Sequence, residues 1–196
     1  MNPRQQLRQE IRRKRRALTK QQQLRAAKRL HAQICRRPEF IRARHIALYL
    51  PNDGEIDPRP LLESCWRMGK KTYLPVLHPI LHNRLWFVPF DRNTKLVRNI
   101  YNIEEPPLLK SPRRPPWALD MVLLPLVAFD ADGNRMGMGG GYYDRTFSFK
   151  SRRQSIQGPK LVGLAHELQR VERLPVESWD IPLAGIITDE DCYMGE

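Results

Sequence analysis

The segment from His45 to Leu77 does most to limit what this chain can become. HIALYLP (His45–Pro51) is a short apolar run closed by Pro51, NDGE is a turn, and DPRPLLESCWRMGK reads as a helix with Asp57 as its cap and Gly69 as its stop. KTYLPVL (Lys71–Leu77) is strand-like again. Strand, helix and strand within about 30 residues form a βαβ unit, which implies a parallel sheet with a right-handed crossover.

Other runs extend that sheet. LDMVLLPLVAF (Leu119–Phe129) is the most apolar stretch of the chain and the best candidate for a central strand buried on both faces; Pro125 cannot donate to a ladder, so the strand is expected to end or bulge there. LWFVPF (Leu85–Phe90), KLVGLAH (Lys160–His166) and AGIITD (Ala184–Asp189) supply further short strands. Between them Asp91–Trp117, rich in Pro and charge, reads as a long surface loop. Upstream, Pro3–Ala17 has strong helix formers and no Gly, and Thr19 with Gln22 fits a capping box for a helix from Lys20 to Arg37, ended by Pro38. Leu24, Ala27, Leu30 and Ile34 line one face of that helix. At 196 residues the expectation is one domain over 1–196: an α/β core at 45–196, three-layered and Rossmann-like with a mostly parallel sheet, preceded by a basic helical hairpin at 1–44 that packs on it.

The net charge of +13 is not spread over the chain. Residues 1–44 hold 15 Lys or Arg against two acids, Glu10 and Glu39, and the remainder holds 19 of each sign. Such a run is either a solvated helix face or an anion-binding surface, and RNA is one anion it would suit. The N-terminus lacks the apolar core and cleavage site of a secretory signal, and no apolar run reaches the length of about 20 residues that a membrane span needs, so a soluble cytoplasmic protein is expected. Cys35, Cys65 and Cys192 are odd in number and form no CxxC pair, which disfavours a disulfide framework or zinc site. His78 and His82 have i, i+4 spacing, but Pro79 between them spoils the helix a metal pair would need.

The densest chemistry lies in RMGMGGGYYD, Arg135–Asp144, directly after the apolar strand and the turn DADG. Gly137, Gly139, Gly140 and Gly141 allow positive φ and let backbone N–H groups converge on an anion ahead of a helix, the arrangement of a phosphate cradle. It has neither the GK[ST] ending of a Walker A loop nor the sixth-position Gly of GxGxxG, where Tyr142 stands; that also speaks against a dinucleotide-dependent oxidoreductase. By themselves the glycines equally serve a structural turn. Asp144 suits Mg²⁺ or a first-turn helix acid, and Arg135 suits phosphate or a neighbouring acid. Glu55, after the first strand, lies where open α/β sheets place ligands; Asp180 is a second metal candidate or a turn carboxylate. No Ser/His/Asp set stands out.

These residues bring a resemblance into view. Through LRQEIRRKRRALT, IALYLPNDGEID, GKKTYLPVL, the EP of Glu105 and Pro106, DMVLLPLVAFDADGNRMGMGGGYYDRTF and LPVESWDIPL, nearly the whole chain resembles the 5-formyltetrahydrofolate cyclo-ligases, also called methenyltetrahydrofolate synthetases. The glycine segment in its frame is the most specific part. The resemblance implies an enzyme that uses Mg-ATP to convert 5-formyltetrahydrofolate into 5,10-methenyltetrahydrofolate, without a protein nucleophile. It places the ATP loop on Arg135, Met136, Gly137, Met138, Gly139, Gly140, Gly141, Tyr142 and Tyr143, with Arg4 and Arg8 as further ATP contacts. It puts magnesium on Asp144 and Asp180, the folate on Leu50, Glu55 and Tyr142, and the catalytic groups at Arg135, Tyr142 and Asp144. The first ATP-contacting basic residue is often Lys in relatives, where this chain has Arg4. Expected partners are ATP and a reduced folate, with Arg12 to Arg16 attracting a polyglutamate tail, and the expected state is a monomer. RNA binding through the basic segment is the alternative; it predicts salt-sensitive binding and no ATP turnover.

Overall fold

The computed structural model of the protein describes residues 2–108, 112–152, 158–175, 177 and 179–194. Val176 and Ser178 of LPVESWDIPL therefore lie outside the described residues. The chain opens with helices α1 (Pro3–Arg16), α2 (Lys20–Cys35) and α3 (Pro38–Arg42), followed by β1 (His45–Ala47), α4 (Arg59–Arg67), β2 (Lys71–Leu77) and β3 (Leu85–Pro89). A small hairpin of β4 (Val97–Arg98) and β5 (Glu104–Glu105) lies within the long Pro-rich segment. Then come β6 (Met121–Pro125), a second hairpin of β7 (Ala128–Phe129) and β8 (Arg135–Met136), α5 (Tyr142–Phe147), α6 (Phe149–Arg152), β9 (Lys160–Leu164), β10 (Gly185–Ile187) and β11 (Cys192–Met194).

Seven strands form the main sheet in the order β11-β10-β9-β6-β1-β2-β3. The five inner strands run parallel, and β3 and β11 close the edges antiparallel. The expected βαβ unit is β1-α4-β2, with Gly69 at φ +68 stopping the helix. Asp57 accepts from Arg59 N at 2.9 Å, holding the first turn of α4 from just outside it. β6 is the buried central strand, and it ends at Pro125, beyond which the apolar run leaves the sheet for β7. Pro75, inside β2, is tolerated because β1 pairs only as far as Tyr73; the missing N–H falls where the neighbour has already left.

One face of the sheet buries Ile46, Leu48, Leu123 and Val162 under Leu30, Ile34, Leu61 and Cys65 of α2 and α4. The other buries Ala47, Phe87, Val122 and Leu124 under Phe147 of α5. That is the expected three-layer α/β arrangement. The N-terminal helices depart from expectation in three ways. α2 ends at Cys35, and Pro38 starts α3 instead of terminating α2, since a first-turn residue needs no N–H. Ala26, Ala27, Leu30 and Ile34 form the inward face of α2, and Leu24, on its flank, is 70% exposed. The third departure concerns α1, whose apolar side packs elsewhere than α2: Ile11, with Leu7 at the margin, joins Val127, Ala128, Met136 and Leu174. The first helix is thus carried across to the β7–β8 hairpin instead of pairing with the second.

Candidate active site

Topology creates the site. β1 connects through α4 to β2 on one side, whereas its neighbour β6 connects onward to β9 on the other. The segments leaving the carboxyl ends of β1 and β6 diverge, and a crevice opens between them, the position at which doubly wound sheets take ligands. Here it is a cleft of about 1430 Å³. The segment after β1 contributes Leu50 and Glu55, the segment after β6 contributes Arg135 to Asp144, and α1 contributes Arg4 and Arg8.

Every site residue anticipated from the sequence lines this cleft except Met136. Met136 is 1% exposed and packs beneath the loop with Ile11 and Val127, because β8 pairs with β7 and alternation turns its side chain into the core. Beyond it the chain turns outward. Gly139 has φ +100, a left-handed conformation costly for any residue with a Cβ, and the Arg8 guanidinium lies 3.6 Å from where that Cβ would be. Arg8 Nε donates to Gly137 O at 2.9 Å, which seats α1 on the loop. A Cβ on Gly140 would meet the edge of the Tyr142 ring at 2.7 Å, so the ring sits this close to the loop only because that residue is Gly.

The buried Arg135 pairs with the partly buried Asp144, Nη2 to Oδ1 at 2.5 Å, and Asp144 Oδ1 also accepts from Ile181 N at 3.2 Å. Arg135 Nε is buried with no hydrogen-bond partner among the described residues. The second bond carries the segment with Asp180 to the loop. Asp180 Oδ2 accepts from Glu177 N at 3.0 Å and stands 3.8 Å from Arg4 Nη2, while Arg4 Nη1 pairs with Glu177 at 3.1 Å. Arg4 and Arg8 occupy the first two turns of α1, where cations oppose the helix dipole; an anion in the cleft would offset that cost. Oδ2 of Asp144 and Oδ1 of Asp180 accept no hydrogen bond from the described residues. Among those residues no cluster of three or more His, Cys, Asp or Glu converges on one point. Two carboxylates with oxygens to spare and no closed cage fit Mg²⁺, which binds through one or two carboxylates, water and phosphate oxygens.

At the other end Glu55 is half-buried and its Oε2 accepts from Asn52 N at 3.0 Å. Burial pushes its carboxyl up to about 7, against the opposing charge of Arg15. Tyr142 Oη is 2.7 Å from Tyr101 Oη, the two rings meeting edge to face at 6.3 Å. Burial and that hydrogen bond raise the Tyr142 phenol to about 12, so it remains a proton donor at neutral pH.

Sequence reading missed Tyr101, Trp179 and Arg145, which all line the cleft. Tyr101 lies within Asp91–Trp117, which the sequence presents as a long surface loop rich in Pro and charge; the signal there is the turn N-x-x-N, Asn99 to Asn102, ahead of β5. Of the arginines expected to attract a glutamate tail, Arg12, Arg15 and Arg16 all engage Asp53, and Arg15 is fully buried. No single-sequence signal distinguishes them from their neighbours. His78 Nδ1 accepts from Ile80 N and Leu81 N and so organises a turn.

The chain is similar to known proteins along most of its length. A model of the 5-formyltetrahydrofolate cyclo-ligase family matches residues 1–189. Over 185 residues the chain is 44% identical to the 5-formyltetrahydrofolate cyclo-ligase of Escherichia coli K12, covering 93% of this chain and 98% of that one. The Haemophilus influenzae enzyme of the same name is 43% identical over 184 residues, covering 94% and 96%. Among solved structures, the Aquifex aeolicus 5,10-methenyltetrahydrofolate synthetase superposes with a TM-score of 0.81 at 30% identity, covering 97% of this chain and 92% of that one. These findings lend no support to RNA binding. No helix among the described residues is long and apolar enough to cross a membrane.

Proposed function

The chain belongs to the 5-formyltetrahydrofolate cyclo-ligase family, and from that membership we propose the reaction of its cleft: ATP-driven conversion of 5-formyltetrahydrofolate to 5,10-methenyltetrahydrofolate with release of ADP and phosphate. The observation that carries the assignment of this cleft is the meeting of the Gly137–Gly141 loop, Arg8 and Asp144 with Glu55 in a single space of about 1430 Å³. That exceeds the roughly 300 to 1,000 Å³ of a site for one small ligand, leaving room for two substrates side by side.

An N-formyl carbonyl is conjugated with its nitrogen and is a poor electrophile. Transfer of the γ-phosphoryl group to the formyl oxygen forms an O–P bond, breaks the bond to ADP and leaves an activated iminium-like phosphate. N10 of the folate then attacks the formyl carbon, loses its proton, and the C–O bond breaks to release inorganic phosphate. Such chemistry asks the protein for positioning and charge neutralisation. In our reading Gly137–Gly141 cradle the phosphates, with Met138 and Tyr143 beside them, and Arg4, Arg8 and Arg135 supply positive charge. Asp144 and Asp180 hold Mg²⁺, which neutralises phosphate oxygens when bound. Glu55, beside Leu50, accepts paired N–H bonds from the pterin, and Tyr142 closes over the folate. Because the first helix and the loop after β6 both line the cleft, we read residues 1–196 as one catalytic unit.

The test is the appearance of methenyltetrahydrofolate absorbance when purified protein is given 5-formyltetrahydrofolate and Mg-ATP, with a non-hydrolysable ATP analogue as control. The expected result is absorbance growth with ATP alone. A flat trace with active substrate stocks overturns the proposal.

A further inference from the structure

We propose that Asp53 is a positioning residue that clamps the C-terminal turn of α1 and so fixes the spacing between the two ends of the cleft. The proposal rests on the reading above for what those ends bind. Its observation is the convergence of three guanidinium groups on one carboxylate: Arg12 Nε and Arg15 Nη2 reach Oδ2 at 2.6 and 2.9 Å, and Arg16 reaches Oδ1. One cation would suffice to neutralise the carboxylate. Three, drawn from consecutive turns of α1, fix the helix in rotation and translation as well.

The clamp is built into the backbone on both sides. Asp53 itself has φ +53, a left-handed conformation that Asp tolerates better than most residues. Arg15 is 0% exposed and also donates from Nε to the Asp53 carbonyl at 2.8 Å and from Nη1 to the Leu126 carbonyl at 3.3 Å. It therefore ties the loop after β1 to the strand end after β6. Gly54, at φ +75, brings its backbone so near that a Cβ would stand 2.9 Å from the Arg15 carbonyl oxygen. Two residues beyond Asp53, Glu55 faces the folate end of the cleft. At the opposite end of the same helix, Arg8 holds Gly137 and Arg4 holds Glu177. Between Arg4 and Arg15 a helix rises by about 16 Å, so α1 works as a strut with one foot on each substrate's loop. A strut of this kind transmits an error at one foot to the other.

The test compares wild type with Asp53→Asn, which keeps the shape and removes the charge, well below each protein's Tm. The expected result is that KM for ATP and KM for 5-formyltetrahydrofolate both rise about tenfold or more, since misplacement by about an ångström costs that much, while kcat falls less. A lowered Tm with both KM values unchanged overturns the proposal, as does a rise in the folate KM alone. Should Asp53→Asn fail to fold, Arg16→Gln, at an exposed guanidinium, is expected to raise both KM values in the same ratio by a smaller factor. A substrate-free readout separates the clamp from the assigned reaction: amide NMR signals of Gly137–Gly141 shift in the variant. Shifts confined to residues 52–55 overturn the strut whether or not the enzyme turns over folate.

Discussion

Arg8 donates through Nε to the carbonyl oxygen of Gly137 at 2.9 Å, joining the first helix of the chain to a loop 129 residues later. The contact leaves the rest of the guanidinium beside Gly139, on the cleft side of the loop. Arg8→Ala removes both a loop anchor and a charge for phosphate. A charge-assisted hydrogen bond contributes about 1.5 to 3 kcal/mol, so KM for ATP is expected to rise roughly 10- to 100-fold. Steady-state kinetics with each substrate varied in turn checks this; an unchanged KM for ATP removes Arg8 from the nucleotide end.

Asp144→Asn separates two roles. It keeps an oxygen that can accept from Arg135 Nη2 but leaves that buried cation without its counter-charge, a change expected to destabilise the fold by about 3 kcal/mol and read as a lowered Tm. The same change takes a hard anionic oxygen from the proposed magnesium site, so the Mg²⁺ concentration for half-maximal rate is expected to rise at least tenfold. If Tm drops and the Mg²⁺ titration does not move, Asp144 is a structural partner of Arg135 and no metal ligand.

Glu55 gives a pH signature with a defined sign. Burial lifts its carboxyl from the ordinary 4.5 to about 7, so between these values the folded protein holds a proton that the unfolded chain has released. Stability therefore falls as pH rises through that window, by an amount on the order of 1 to 3 kcal/mol. Glu55→Gln is expected to flatten Tm against pH over that range and to be the more stable protein at pH above it. Binding runs the other way: the ionised carboxylate accepts the pterin N–H groups, so wild-type affinity for 5-formyltetrahydrofolate increases with pH through about 7 and that of Glu55→Gln does not. Parallel Tm profiles for the two proteins contradict the assignment.

Gly139→Ala forces a Cβ onto a backbone at φ +100 and towards the Arg8 guanidinium. The strain is about 1 to 2 kcal/mol, and relief comes by moving the loop. The expected outcome is a KM for ATP raised about tenfold with Tm lowered by a few degrees, measured by kinetics and thermal melts. Equal ATP kinetics in the two proteins shows that the loop's left-handed turn is dispensable for the nucleotide.

By itself the sequence determined the local elements and the chemistry they carry. The βαβ unit, the capping box of Thr19 and Gln22, the strand end at Pro125 and the glycine loop are local patterns, set by periodicity, by a cap's own side chain or by a missing N–H, and each stands where its residues placed it. The antiparallel β11 was not legible, because three residues of strand carry too little pattern to be told from a loop. What tertiary structure alone decided is partnership. One basic stretch of α1 divides into Arg4 and Arg8, which hold Glu177 and Gly137, and Arg12, Arg15 and Arg16, which converge on Asp53, and Met136 turns into the core while its neighbours in the loop turn out. Those assignments depend on where α1 lies against the ends of β1 and β6. That placement arises from long-range packing of Ile11 against Val127 and Met136, and no local spacing in the chain encodes it.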